Sequence, residues 1–311
     1  MRIAIIGTGG VGGYFGARLH DAGEDVTFIA RGAHLEAIEK NGLQIFSALG
    51  DTCIKNATFT DNPESIAPVD IVIIAVKLWA TEEAILAAKP LLGDKTGIIS
   101  LQNGILAEEI LQNVYGLQHA MGGVSNIAAL IESPGVIRHN GTMASLYFGE
   151  LDASNSARVS DFYDACERAN INAQIPDDIN VSIWEKFIRL VTMSSMTALC
   201  RMPIGPIRST PETRDMLSQV LSEVIAVATS KGMQFAPNVI DEQMKIIDGY
   251  PPTMVASMCG DLRRGYRLEL PWLAGTVSKL GKQLNIPTPT LDFVYASLKL
   301  YENGRPDEAQ I

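Results

Sequence analysis

The chain has 311 residues, enough for about two domains of ordinary size. Hydrophobic residues make up 47% and charged residues 19%, yet no stretch approaches the roughly 18 consecutive apolar residues of a membrane span. The net charge of -10 argues against a general nucleic-acid binder, which needs a basic footprint.

Residues 2–7 read as a short apolar strand. Gly7-Thr8-Gly9-Gly10-Val11-Gly12 follows, then a helix to about residue 22, with Gly23 as its C-cap. Residues 25–30 are the second predicted strand, and 33–41 a short helix with Gly42 just past its end. Residues 69–76 are a strongly apolar, β-branched run, which suits a parallel strand buried on both faces. Residues 81–92 read as a helix despite Pro90, and 96–101 as another buried strand ending in Gln102-Asn103-Gly104. Strands that alternate with helices imply right-handed crossovers and a doubly wound, mostly parallel sheet. Residues 136–139 and 143–148 flank Asn140-Gly141, which predicts a hairpin turn there. A helix over 156–170 completes this half.

Beyond about Asp177 the strand signals stop. Residues 183–200 read as a helix. Thr210-Pro211 is an N-cap with proline at the first helical position, opening a helix to Lys231 that Gly232 closes. Further helices are predicted over 238–248, 253–264, 272–284 and 289–302, the last with Thr288 as N-cap and Gly304 as stop. The expected architecture is an α/β Rossmann domain over residues 1–176 followed by an all-α domain over 177–311. The polar residues after Gly304 are expected to fray.

Cys53, Cys166, Cys200 and Cys259 are far apart and form no CxxC pair, so buried free thiols in a reducing cytoplasm are expected. His20, His34, His119 and His139 have no HxxxH or HxH spacing, and no metal site is expected. Met1-Arg2 leads directly into the first strand, without a separate apolar segment or a small-residue cleavage site, so no signal peptide is expected.

A GxGxxG spacing is weak on its own, but here a strand precedes it and a helix follows. Gly7 permits the tight turn, Gly9 lets a pyrophosphate approach the backbone, and Gly12 lets the helix pack on the strand. The loop through Thr8, Gly10 and Val11 then presents free helix N–H groups and a partial positive charge to a phosphate. NAD sites usually carry an acid at the end of the second strand, where this chain has Ala30-Arg31. Arginine suits a 2′-phosphate through charge-assisted contacts, so the predicted cofactor is NADP(H).

With these residues and those that follow, the sequence resembles the ketopantoate reductase (2-dehydropantoate 2-reductase) family over nearly its whole length. The resemblance is carried by Gly7 to Gly12, Arg31, Ala75-Val76-Lys77, Gln102-Asn103-Gly104 and Trp184-Glu185-Lys186. It continues through Ser257-Met258, Asp261 and Glu269. It implies that Arg31, Lys77, Asn103 and the backbone at Ala128 contact the cofactor, and that Asn103 also lies near the substrate. Lys186 would be the proton donor, Glu269 would lie where cofactor and substrate meet, and Ser257 would touch the substrate. The implied activity is NADPH-dependent reduction of a 2-oxo acid to the 2-hydroxy acid, as in pantothenate biosynthesis, in a cytoplasmic protein for which a homodimer is one open arrangement. The chemistry is reasonable on general grounds. A ketone gains hydride at carbon and a proton at oxygen, and a lysine ammonium can stabilise the alkoxide and donate that proton.

The sequence departs from the family where the substrate would be read. Four and eight residues after its lysine the family has asparagines; here they are Leu190 and Ser194, on the same helical face as Lys186. Another family asparagine, after the proline that follows this helix, is Ile204. Leu268-Glu269-Leu270-Pro271 replaces the more polar Thr-Glu-Ile-Asp. The wall that Leu190 and Ser194 contribute to the substrate site is therefore largely apolar. Two alternatives follow: an NADP-dependent dehydrogenase of a bulkier, less polar substrate, or a cofactor-binding sensor without turnover. Retention of Lys186 and Glu269 weighs against the sensor.

Overall fold

In the computed structural model, which describes residues 1–306, strand Arg2–Ile6 (β1) runs through the glycine-rich turn into helix Gly10–Asp21 (α1). Asp25–Ile29 (β2) and Gly32–Asn41 (α2) follow, then three short strands, Leu43–Ser47 (β3), Thr52–Ile54 (β4) and Thr58–Thr60 (β5). Val69–Ile74 (β6) leads to Thr81–Ala87 (α3), and Leu92–Ser100 (β7) to Ala107–Tyr115 (α4). Two long strands, Ala120–Ser133 (β8) and Val136–Glu150 (β9), precede Ala157–Arg168 (α5) and Asn172–Gln174 (β10). The strands form one sheet in the order β4-β3-β9-β8-β7-β6-β1-β2-β5, with β10 also on β9. Among the described strands only β3–β4 and β8–β9 pair antiparallel.

The expected doubly wound α/β architecture is the one found. Side chains alternate across a strand, so a strand covered on both faces must be apolar at successive positions. Ile3, Ile5, Ile71, Ile73 and Ile99 point to the side covered by α1, α2 and α5. Ala4, Ile6, Val72, Ile74 and Ile98 point to the side covered by α3 and α4. β1 has β2 on one side and β6 on the other, so the direction of strand addition reverses beside it. Ligands of open α/β sheets bind at such a switch point, beyond the carboxyl ends of the strands.

Several elements differ from the sequence reading. Asn140-Gly141 is not a hairpin turn. It lies inside β9, where residues 140–143 stand opposite the single residue Ala128, between the pairs His139–Ala129 and Ala144–Ile127. Gly141 does adopt a positive φ of 78°, and a contact between His139 Nε2 and the Met143 carbonyl (3.0 Å) closes the bulge. The hairpin turn is Pro134-Gly135, with Gly135 at φ 79°. Asn-Gly supplies the backbone conformation that turns and bulges share; the pairing with β8 decides between them. The helix expected over 81–92 stops at Ala87. Pro90 lacks an N–H and its ring crowds the preceding turn, so Lys89–Leu91 is a 3-10 turn and the chain is extended from Leu92. The short strands β3, β4, β5 and β10, helix α4 and the first half of the β8–β9 pair carried no strong local pattern.

The chain divides into two compact units, the first Met1–Ile183 and the second from Trp184 onward. Helix Ile179–Cys200 (α6) begins in the first and continues into the second. The second unit then contains Ile204–Ser209 (α7), Pro211–Ser230 (α8), Val239–Asp248 (α9), Ser257–Arg264 (α10), Ala274–Leu284 (α11) and Pro289–Leu298 (α12). The helix expected from residue 253 starts only at Ser257. Before it, the Met254 carbonyl accepts from Ile204 N (2.9 Å) and Ala256 N donates to Thr197 Oγ1 (3.4 Å), so these backbone groups bond to other elements. The buried Glu223 of α8 accepts from Thr290 N (2.8 Å) and Leu291 N (2.9 Å), capping the first turn of α12 from outside. α12 ends at Leu298, with a 3-10 turn over Lys299–Tyr301, and Gly304 has φ 109°. Arg305 N donates to the Gly265 carbonyl (3.3 Å); the rest of the stretch expected to fray, residues 307–311, lies outside the described residues. All four cysteines are free; Cys166 and Cys259 are buried, but Cys53 is exposed, against expectation. No helix among the described residues is long and apolar enough to cross a membrane.

Candidate active site

The glycine-rich turn follows β1. Gly7 has φ 100°, and a Cβ there would stand 2.8 Å from the Ala75 carbonyl oxygen. A Cβ on Gly12 would collide with the Gly7 carbonyl, and one on Gly10 with the Ala129 carbonyl of β8. At Gly9 a Cβ would meet nothing within 4 Å. The turn is thus packed on three glycines and open at the fourth, which is the N-cap of α1. The first N–H groups of a helix have no partner within it, and α1 has no acidic residue in its first turn to repel an anion. A pyrophosphate fits this cradle.

The Thr8 peptide is held from two directions. Its N–H (3.2 Å) and its Oγ1 (3.0 Å) both donate to the Ile29 carbonyl at the end of β2. Its own carbonyl is 2.8 Å from His34 Nε2 of α2, while His34 Nδ1 accepts from Gly135 N (3.0 Å) in the β8–β9 turn. Because Nδ1 is the acceptor, the proton sits on Nε2 and the ring is neutral. Burial pushes the His34 pKa below its usual 6.5, outweighing the opposing effect of the Thr8 carbonyl.

The other cofactor candidates of this unit follow strands adjacent to β1. Arg31 is the N-cap residue of α2 after β2, and its exposed guanidinium pairs with Glu83 in the first turn of α3. Lys77 follows β6 and is exposed, its Nζ 5.8 Å from the Trp79 ring centre. Asn103 follows β7, just before Gly104 at φ 97°. The buried Gln102 ties these loops together, donating from Nε2 to the Val76 carbonyl (3.0 Å) and to Thr81 Oγ1 (2.8 Å). Ala128 is exposed on β8, one residue before the carbonyl on which Gly10 rests. Gly7, Arg31, Lys77 and Asn103 therefore all lie beyond the carboxyl ends of four neighbouring parallel strands.

In the second unit, Lys186 and Leu190 are half-buried on α6 and Ser194 is fully buried, spaced four apart on one face. The Ser194 and Ser195 hydroxyls are buried without a hydrogen-bond partner among the described residues. Thr197, farther along the Lys186 face, donates to the Met193 carbonyl (2.6 Å) and accepts from Ala256 N, which fixes the segment entering α10. Ser257 is exposed as the first residue of α10, Glu269 is buried just before a 3-10 turn, and the Ile204 side chain is fully buried. Among the described residues no group of three or more His, Cys, Asp or Glu could hold a metal. The roles of His34, Gln102 and Glu83 had no sequence signal, because each depends on a partner at least 21 residues away.

A doubly wound sheet with an open glycine-rich turn at its switch point defines the dinucleotide-binding class. The family profile described as ketopantoate reductase PanE/ApbA matches residues 3–153, and its C-terminal counterpart matches residues 178–302. The chain belongs to the ketopantoate reductase family and is an oxidoreductase. A 2-dehydropantoate 2-reductase of Mesorhizobium japonicum is 31% identical, over 96% of this chain and 97% of that protein. The crystal structure of a PanE/ApbA family ketopantoate reductase from Ralstonia eutropha superposes with a TM-score of 0.88 at 28% identity, covering 97% of this chain and 98% of that one. D-mandelate dehydrogenase, in a ternary structure with NADH and anilino(oxo)acetate, also reaches 0.88, at 25% identity and coverages of 97% and 98%.

The His34 bridge gives a prediction. His34→Ala leaves the Thr8 carbonyl and the Gly135 N–H without their partner and should cost about 1–3 kcal/mol of stability. The wild type should also show a pH signature. With a depressed pKa in the fold, His34 takes up its proton more readily when unfolded. Its contribution is complete above about pH 6.5 and is lost as pH falls through the lower, folded value. Urea denaturation of wild type and His34→Gln between about pH 8 and pH 5 checks this. Parallel stability curves for the two would remove His34 from the account.

Proposed function

We propose that the protein is an NADPH-dependent reductase of a 2-oxo acid, with Lys186 as proton donor. The observation that carries this reading is Arg31, placed after β2 beside a glycine-rich turn that is open at Gly9. When bound, the nicotinamide supplies hydride to the carbonyl carbon. The Lys186 ammonium stabilises the developing alkoxide and passes its proton to that oxygen, which completes a two-electron reduction. Arg31 takes the 2′-phosphate, and Lys77, Asn103 and the Ala128 backbone hold the cofactor. Glu269 lies where cofactor and substrate meet, and Asn103 and Ser257 orient the substrate. Residues 1–176 serve the cofactor and 177–311 the substrate, in a cytoplasmic enzyme.

The substrate carries an apolar group next to its oxo acid. Leu190 replaces one of the asparagines that the resemblance leads one to expect and has no side-chain hydrogen bond to offer; Ile204, which replaces another, is fully buried. The likeness to D-mandelate dehydrogenase supports this choice, since mandelate and anilino(oxo)acetate both carry an aromatic ring. The NADH of that structure makes cofactor preference the first property to test.

Arg31→Ala should weaken NADPH binding roughly 10- to 150-fold and spare NADH, as loss of a charge-assisted contact predicts. Calorimetry with both cofactors measures it; equal losses, or a wild type that prefers NADH, would sink the assignment.

Lys186→Ala and Lys186→Met should keep NADPH affinity and lose roughly 10²–10⁴-fold in turnover. NADPH consumption under saturating conditions reads this directly, and near wild-type turnover by either variant excludes Lys186 as the acid.

Ketopantoate should be a poor substrate. Each of its polar groups left without a partner costs about 1–3 kcal/mol, and two such losses lower kcat/KM roughly 30- to 10⁴-fold if they add. Longer apolar tails gain about 0.8 kcal/mol per buried methylene. A kcat/KM series over 2-oxo acids of increasing chain length tests this. A clear preference for ketopantoate would mean that Ser194, Ser195, Thr197 or Ser257 supplies the polar contacts.

A further inference from the structure

The Arg31–Glu83 pair has a consequence for cofactor choice. Arg31 follows β2 and Glu83 lies on α3, which follows β6; these strands flank β1 on either side. The pair thus links the two segments that border the glycine-rich turn. Both side chains are largely exposed, at 62% and 64%, so neither is locked in place by packing. An incoming 2′-phosphate carries close to two negative charges at neutral pH and needs the same guanidinium. Glu83 already occupies part of the donor fork and places a like charge beside the phosphate. A cofactor with a plain 2′-hydroxyl meets neither obstacle.

We infer that Glu83 is a specificity-determining residue that competes with the 2′-phosphate for Arg31 and so moderates the preference for NADPH over NADH. The inference rests on the reading of Arg31 given above. It has a definite sign. If Glu83 instead held Arg31 in a productive pose while the guanidinium served both anions, removing its charge would weaken NADPH binding. Competition requires the opposite.

The test is Kd for NADPH and for NADH, by calorimetry, on the full chain as wild type, Glu83→Gln, Glu82→Gln and Arg31→Ala. Glu82 is the neighbouring exposed carboxylate in the same helical turn, so its variant removes an equal charge one residue away. Glu83→Gln is expected to tighten NADPH about two- to fivefold at low ionic strength, with NADH within about twofold of wild type. The gain should shrink as salt rises, because exposed charges are screened. Glu82→Gln should give a smaller gain. Weaker NADPH binding by Glu83→Gln, an equal gain for both cofactors, or an equal gain from Glu82→Gln each overturns the competition. Failure of the underlying reading looks different: Arg31→Ala would then weaken both cofactors alike. A selective loss in Arg31→Ala with no change in Glu83→Gln keeps the reading and rejects the inference.

Discussion

There is no room for a methyl group between the start of α1 and the strands beneath it. Gly12 lies against the Gly7 carbonyl and Ala75, Gly10 against the Ala129 carbonyl, and Gly7 against the chain leaving β6. These contacts bring the N-terminus of α1 down onto the carboxyl end of β1, with Ala75 N bonded to the Ile6 carbonyl (2.9 Å) beside it. The rest of the first unit depends on that closeness. The helix can present its free N–H groups at the switch point only because three glycines allow backbone to lie against backbone.

Charge then separates the helices that begin at this end of the sheet. α1 and α2 have no acid in their first turns, whereas α3 has Glu82 and Glu83 and α4 has Glu108 and Glu109. Acids at a helix N-terminus stabilise the helix, but they also cancel its attraction for an anion. Of these four helix starts, α1 and α2 leave that attraction uncancelled. Arg31 sits between the two kinds of helix start, at the N-cap position of α2 and paired to Glu83 in the first turn of α3.

The second unit offers a different environment. On α6 a cation, an aliphatic side chain and a buried hydroxyl succeed one another along one face, at Lys186, Leu190 and Ser194. A buried hydroxyl without a partner is costly, and among the described residues Ser194 and Ser195 each carry one.

Much of this was legible in the sequence wherever the determinant is local. The glycine spacing, the apolar runs of β1, β6 and β7, Arg31 after β2 and the Thr210-Pro211 helix start each state a backbone or charge requirement that neighbouring residues satisfy. The four-residue spacing of Lys186, Leu190 and Ser194 follows from helical periodicity alone. What the sequence could not decide are the features whose partner lies far along the chain. Asn140-Gly141 carries the same conformational preference in a turn and in a bulge, and only the strand 120–133 alongside it makes it a bulge. Residues 253–256 look helical until their backbone groups are seen to bond to Ile204 and Thr197. His34 and Glu83 look like ordinary surface residues until folding sets them against Thr8 and Arg31. Local conformational preference and hydrophobic period are properties of a short stretch of chain; hydrogen-bond and ion-pair partners are chosen by the packing of the whole sheet.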